Sequence, residues 1–331
     1  MIVHLARDYP EDFYRVFTPL VHESITITSS GLHQSTPPFD VLVRGVPTEE
    51  ELRFSPHLKA LVIPWAGLPR ATASLLADYP HIAVYNLHHN AGATAELALA
   101  MLLAAARELV PIDRALREGD WRPRYADPTA LLLEGSRVVI VGMGAIGRRV
   151  ARVCLALGMR VIGVNRTGEP NDTLKTILDC SPDHITLVDY TRVEEVLLGA
   201  QVLVLCVPLT PQTERLIRAE QLRALADQAI VINVSRGAVV DEAALFEELK
   251  SGRLRAGVDV WYNYPSDEAE QANTPPSTFP FGDLDNVIMT PHLAAHTTST
   301  EEYRARELAT LLSGLAGHGP APTPVDLSRG Y

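Results

Sequence analysis

VVIVGMGAIGRRVARVCLALGMRVIGVNR, residues 138–166, is the stretch whose reading decides the fold. Val138 to Val141 form a short apolar run rich in β-branched residues, as a strand covered on both faces requires. Gly142, Gly144 and Gly147 follow at GxGxxG spacing. The first glycine permits a tight turn, the second lets a pyrophosphate approach the backbone, and the third lets the next helix pack close to the strand. Val150, Val153, Cys154 and Leu157 then recur at helical spacing and make one apolar face. Gly158 closes that helix, and Arg160 to Val164 read as a second strand. A strand, a glycine turn, a helix and a second strand make one βαβ dinucleotide-binding unit. Its turn, GMGAIG, contributes Gly142, Met143, Gly144, Ala145, Ile146 and Gly147 as cofactor contacts, with the helix N-terminus aimed at the phosphates.

In such units an acid about 20 residues on receives the adenosine ribose hydroxyls. Here the second strand ends in Asn165, Arg166 and Thr167. Without a carboxylate nothing repels a 2′-phosphate, and the Arg166 guanidinium can pair with one. NADP is therefore expected as cofactor ahead of NAD, with NAD still admissible.

The 331 residues suffice for two domains with separate cores. Lys and Arg number 29 against 40 Asp and Glu, a net charge of −11 without a basic run, so nucleic acid is not an expected partner. Cys154, Cys180 and Cys206 are too few and too scattered for a disulfide framework or a CxxC metal site. The first residues, MIVHLARDYPEDF, lack the cationic and apolar regions of a secretory signal, and the most apolar stretch, Ala91 to Ala106, contains Glu96 and reads as a buried helix. A cytoplasmic protein without a membrane span is the expectation.

Upstream of the core unit, Ile2–Leu5, Ile25–Thr28, Val41–Val43, Ala60–Ile63 and Ile82–Tyr85 are apolar runs separated by helical or turn-like segments. That alternation predicts a small parallel α/β domain. Ala93 to Leu109 read as a long helix ended by Pro111, and Arg114 to Leu133 as an irregular excursion able to wrap a partner subunit. Downstream, Val202–Val207, Ala229–Val234, Ala256–Val260 and Val287–Met289 are further buried runs, and Trp261 to Gly282, with four prolines, is a long loop. Thr298 to Glu301 have the form of a capping box opening a last helix that runs to about Leu315. The tail from Pro320 is proline-rich and lacks periodicity.

Ligands of open α/β sheets bind beyond the carboxyl ends of the strands. Ser235-Arg236-Gly237 follow one buried run, Asp259 ends another within reach of a cofactor ring, and Thr290-Pro291-His292 follow a third. Trp65-Ala66-Gly67-Leu68 follow a run of the first domain, a glycine loop whose N–H groups suit a carboxylate. Taken singly, a strand-end arginine is more often an ion-pair partner and a lone histidine more often structural. His88, His89, His292 and His296 show neither HxH nor HExxH spacing, so no metal site is expected.

Over nearly its whole length the chain resembles the D-isomer-specific 2-hydroxyacid dehydrogenases, which include glyoxylate/hydroxypyruvate, phosphoglycerate, formate and phosphite dehydrogenases. The resemblance rests on GMGAIG at 142–147, VPLTPQTERLI at 207–217, NVSRGAVVDEAAL at 233–245, AGVDV at 256–260 and TPH at 290–292. It implies two doubly wound parallel-sheet domains, a Rossmann coenzyme domain (101–292) inserted into a flavodoxin-like substrate domain (1–100 and 293–331). It also implies a homodimer formed through the coenzyme domain and a small carboxylate substrate. On these motifs Arg236 binds the substrate carboxylate, His292 is the acid/base, and Trp65, Ala66, Gly67 and Leu68 line the substrate site. Cys206, Val207, Pro208, Thr213, Val234, Ser235, Arg236, Asp259 and His292 join the glycine turn and Asn165–Thr167 around the cofactor, with Asp259 at the carboxamide side of the nicotinamide.

One position departs from the hydroxyacid pattern. Where those enzymes carry a glutamate five residues after the aspartate of AGVDV, this chain has Tyr264. A phenol cannot stabilise an imidazolium as a carboxylate does, so a more acidic optimum for reduction is expected. Formate dehydrogenases carry a neutral glutamine there, with an asparagine six residues before the glutamate of an xAE segment. Asn90 and Thr94-Ala95-Glu96 reproduce that spacing, which keeps formate or another small anion as an alternative substrate. A catalytically weak nucleotide-sensing protein on the same fold is the other alternative.

Overall fold

The computed structural model describes residues 1–33, 35–170 and 185–327; Cys180 lies outside them. The chain divides into two compact units, 1–91 with 295–331, and 92–294.

In the first unit the strands β1 (Ile2–Leu5), β2 (Thr26–Ser29), β3 (Val41–Val43), β4 (Ala60–Ile63) and β5 (Ala83–Asn86) form a parallel sheet in the order β2-β1-β3-β4-β5. Alternate side chains serve two cores. Val3, Leu5, Val41, Val43 and Val62 meet Phe13 and Phe17 of the helix Glu11–Leu20, together with Ala305, Leu308, Ala309 and Leu312 of the helix Thr300–Leu315. Leu42, Leu61, Ile63 and Val84 face Phe39, Leu52 and Leu76 on the other side. A sheet buried on both faces needs such unbroken apolar strands, and each fully covered aliphatic side chain contributes about 1.5–3 kcal/mol.

The second unit holds a seven-stranded parallel sheet. Its strands are β6 (Arg137–Val141), β7 (Arg160–Val164), β8 (Ile185–Val188), β9 (Val202–Leu205), β10 (Ile230–Asn233), β11 (Arg255–Val258) and β12 (Val287–Met289), in the order β12-β11-β10-β9-β6-β7-β8. The order reverses between β6 and β9, which is the doubly wound pattern with its switch point at the glycine turn. β8 escaped the sequence reading, because ITLV is short and only its first and last residues are buried.

Two expected helix boundaries are corrected. The helix expected to run to Leu109 spans Ala91–Ala106, and the chain turns at Glu108, whose φ of 53° is left-handed. Pro111 instead lies in the first turn of a second helix, Leu109–Arg117, where a missing N–H leaves no intrahelical bond unmade. The excursion from Arg114 is therefore helical to Arg117, has one 3₁₀ turn at Arg122–Arg124, and is irregular for the rest. The capping box at Thr298–Glu301 does not form. Thr300 Oγ1 is taken by the preceding turn, accepting from Thr297 N at 2.8 Å and donating to Ala295 O at 2.6 Å, and Ser299 leads into the helix without a side-chain cap. A capping box does open the helix Glu49–Phe54, between Thr48 and Glu51.

Candidate active site

In the glycine turn after β6 the three glycines answer different demands. Gly142 has φ +101°, and a Cβ there would lie 2.7 Å from Cys206 O. At Gly147 a Cβ would lie 1.9 Å from Gly142 O, so only glycine lets the helix Gly147–Ala156 start against the turn. At Gly144, by contrast, a Cβ would meet nothing within 4 Å. The protein itself does not require that glycine, whereas a pyrophosphate approaching the backbone would. The helix starts without a side-chain cap, Arg148 N and Arg149 N bond back to Gly144 O and Ile146 O, and its positive dipole end faces the place of an anion. The residues present therefore fit a dinucleotide.

Around the turn, Met143 is buried against Gly163, while Ala145 and Ile146 are half-buried. Burial pushes the Cys206 thiol up to about 12, so it is an inert apolar wall beside Val207 and Gly142. Thr213 closes the loop after β9, its Oγ1 donating to Pro208 O at 2.6 Å and accepting from Thr210 N at 2.8 Å. At the end of β7, Asn165 Oδ1 accepts from Thr167 N at 3.1 Å and Gly168 N at 2.6 Å, and its Nδ2 donates to Glu169 O. Asn165 thus shapes the loop that carries the exposed Arg166.

The ends of β10, β11 and β12 bring the other named residues together. Asn233 organises the turn after β10: its Oδ1 accepts from Ser235 N at 3.0 Å and Ser235 Oγ at 2.9 Å, and its Nδ2 donates to Arg236 O at 3.1 Å. Val234 is buried behind this turn. The Arg236 guanidinium donates to Ser235 O at 2.6 Å, and desolvation lowers its pKa, opposed by Tyr264. Gly237 allows the segment from Trp261 to come close, since a Cβ there would stand 2.4 Å from Trp261 O.

Asp259, wholly buried, accepts three bonds: from Thr290 Oγ1 at 2.7 Å, Leu293 N at 2.8 Å and Ala294 N at 3.1 Å. It thereby clamps the turn that presents His292, which is exposed and held at φ +57°. Trp261 Nε1 adds a bond to Thr290 O at 2.9 Å. Tyr264 Oη accepts from Trp261 N at 3.0 Å, and its ring lies tilted against the His292 ring, centroids 5.6 Å apart. Burial raises the Tyr264 pKa, so this neighbour of the histidine stays neutral.

Trp65, Ala66, Gly67 and Leu68 lie in the first unit, after β4, and so does Asn90. Asn86 Nδ2 donates to Ala66 O at 2.6 Å and fixes that loop. Asn90 sits in the turn from β5 into the helix Ala91–Ala106. Among the described residues no group of three or more His, Cys, Asp or Glu could hold a metal ion, and no helix is long and apolar enough to cross a membrane. The sequence reading missed the supporting bonds of Asn233 to the turn after β10 and of Trp261 and Thr290 at the turn after β12. Only the adjacency of these residues to Arg236, Asp259 and His292 could have signalled them.

The family model for the NAD binding domain of D-isomer specific 2-hydroxyacid dehydrogenases matches residues 99–294. A glyoxylate reductase of Korarchaeum cryptofilum is 37% identical over 220 residues, 65% of this chain and 60% of that protein. One from Thermococcus onnurineus is 32% identical over 240 residues, 71% of this chain and 66% of its own. The matched region thus spans less than two thirds of either relative. Among solved structures, a D-isomer specific 2-hydroxyacid dehydrogenase from Xanthobacter autotrophicus Py2, in complex with NADPH and MES, superposes with a TM-score of 0.79 at 26% identity, covering 100% of this chain and 99% of that one. With its doubly wound parallel sheets and its match to the nucleotide-binding half, the chain belongs to the D-isomer specific 2-hydroxyacid dehydrogenase family.

Proposed function

We propose that the protein is an oxidoreductase that reduces a small 2-keto acid of the glyoxylate or hydroxypyruvate type to the D-2-hydroxy acid, with NADPH preferred to NADH. The observation that carries this reading is the grouping of Arg236, His292 and the Asp259 clamp at the same sheet edge as the open glycine turn. A reduced dinucleotide with its pyrophosphate at that turn would supply the hydride from its nicotinamide. Arg236 pairs with the substrate carboxylate and sets the carbonyl's orientation, and protonated His292 donates to the carbonyl oxygen. In the reverse direction neutral His292 takes the hydroxyl proton. Asp259, wholly buried, acts through the turn it clamps. The exposed Arg166 beside Asn165 supports the preference for a 2′-phosphate.

A homodimer through the second unit is part of the reading. Leu109, Leu116, Trp121, Tyr125 and Leu132 expose apolar surface along the excursion after the helix Ala91–Ala106, as a subunit contact would require. A cytoplasmic location goes with it.

Tyr264 favours a second reading. A neutral phenol beside His292 suits hydride removal from formate, which needs no proton transfer. The test is oxidation of NADPH and NADH by the purified protein with glyoxylate, hydroxypyruvate and pyruvate, with NAD(P)-linked formate oxidation run beside it. Keto-acid turnover faster with NADPH is the expected result. Formate turnover alone would replace this reading with the second, and tight cofactor binding without any turnover would mark a nucleotide sensor.

A further inference from the structure

His4 stands inside β1, which lies between β2 and β3 in the five-stranded sheet, and it is 1% exposed. Its ring stacks on Phe39, centroids 5.1 Å apart, beside its register partner Leu42. Nδ1 pairs with Thr28 Oγ1 of β2 at 3.0 Å, and Nε2 has no hydrogen-bond partner. A charged imidazole carries an N–H on each nitrogen, so protonation would leave a buried donor without an acceptor at Nε2 and a cation among apolar side chains. Burial accordingly lowers the His4 pKa, opposed by the main chain of Ser30 and by Glu51. The charged groups around β1 have partners of their own. Glu51 pairs with Arg44 at 3.4 Å, Arg44 Nη1 donates to Ala6 O at 3.2 Å, and Asp40 accepts from Ile2 N at 2.8 Å.

His89, in the turn after β5, repeats the pattern. Both of its ring nitrogens are buried without a hydrogen-bond partner. Burial, with the charges of Arg304 and His88 acting in the same direction, lowers its pKa to about 4. Of the acids on the helix Thr300–Leu315, Glu301 pairs with Arg304 and Glu307 accepts from His88 N at 2.8 Å. The second unit differs: among the described residues it holds one histidine, His292, which is exposed.

We propose that the first unit is an acid-responsive element, in which protonation of His4 and His89 loosens β1 and the turn after β5 from their packing while the seven-stranded sheet stays closed. The direction follows from linkage. Below about pH 6.5, the ordinary histidine value, the unfolded chain takes up protons that the folded unit refuses. Stability of the first unit is therefore complete above that pH and falls below it, by up to about tenfold in the folding constant per pH unit for each histidine. For His89 the fall continues down to about pH 4. Neither residue belongs to the proposed chemistry, so the switch is independent of which substrate the protein turns over.

The experiment is hydrogen–deuterium exchange of the full-length protein at pH 7.5 and pH 5.0, corrected for the intrinsic pH dependence of exchange, for the wild type, His4→Phe and His89→Phe. Phenylalanine keeps a ring on Phe39 and cannot titrate. In the wild type, protection of residues 2–5 and 83–89 is expected to fall about tenfold or more at pH 5.0, with residues 138–141 and 230–233 unchanged. His4→Phe should remove most of the loss at 2–5, and His89→Phe most of that at 83–89. If His4→Phe does not fold, His4→Gln takes its place, and the wild-type contrast between the two sheets needs no variant. Unchanged protection of the first unit at pH 5.0, an equal loss in both sheets, or the same loss in the wild type and both variants overturns the proposal.

Discussion

The turn after β6 and the turn after β12 leave the same edge of one sheet, and they are held by different means. The first is made of backbone: Gly142 and Gly147 remove side chains that would collide with Cys206 and with the turn itself, and Gly144 leaves its outer face open. The second is made of side chains: His292 takes a left-handed conformation that only a few per cent of non-glycine residues adopt, and a buried carboxylate 33 positions upstream keeps it there. A binding turn has to offer N–H groups and room, which glycine supplies locally. A turn that presents an imidazole for proton transfer has to fix a side chain in space, which takes distant partners.

Removing the clamp should have the largest effect. Asp259→Ala leaves the Thr290 hydroxyl and the Leu293 and Ala294 N–H groups without their acceptor, and roughly 1–3 kcal/mol for each orphaned donor puts the total at about 3 kcal/mol or more. Thermal unfolding should fall by several degrees, and kcat/KM should drop further than the stability loss explains, because His292 is no longer held. A variant with wild-type kcat/KM would show that the clamp is structural only. On the glycine side, Gly147→Ala forces a Cβ into Gly142 O, and a destabilisation of about 1–3 kcal/mol with weakened NADPH binding is expected from a chemical melt and a fluorescence titration.

Those contrasts also explain how far the sequence could be read. Both sheets, the glycine turn and the strand ends bearing Arg236, Asp259 and His292 follow from local pattern: apolar runs, glycine spacing and alternation with helices. What Asp259 holds was not legible, since its three donors lie 31 to 35 residues away and two of them are backbone amides that carry no residue signature. The helix ends at Glu108 and Ser299 were misplaced for the same reason. A left-handed glutamate and a threonine claimed by the preceding turn are decided by packing, and Pro111 read by itself suggested a stop where a new helix begins. Strand β8 was missed because four residues are too few to show a period and only the first and last of them are buried.

A smaller effect bears on what surrounds His292. Tyr264 is neutral, and burial raises its pKa, so it offers the imidazolium no charge partner across the working range. Tyr264→Glu puts a carboxylate there, and an opposite charge favours the protonated ring. Reduction needs the protonated form and is lost as pH rises through the histidine's titration, so the alkaline limb of kcat/KM for reduction should move upward by about one pH unit, worth about 1.4 kcal/mol. An unmoved limb would mean that Tyr264 does not govern the proton carried by His292.

The division of labour between the two turns is tested most directly by measuring NADPH dissociation constants and single-turnover reduction rates side by side for His292→Asn and Gly144→Ala. Asparagine tolerates the left-handed backbone that His292 occupies, so the turn should survive the substitution. His292→Asn is expected to slow reduction by about 10²–10⁴-fold with NADPH affinity nearly unchanged, as loss of a general acid does. Gly144→Ala should weaken NADPH binding without lowering the stability of the free protein, because its Cβ meets nothing until the cofactor arrives. Equal losses of affinity and rate in both variants would contradict the division of roles between the two turns.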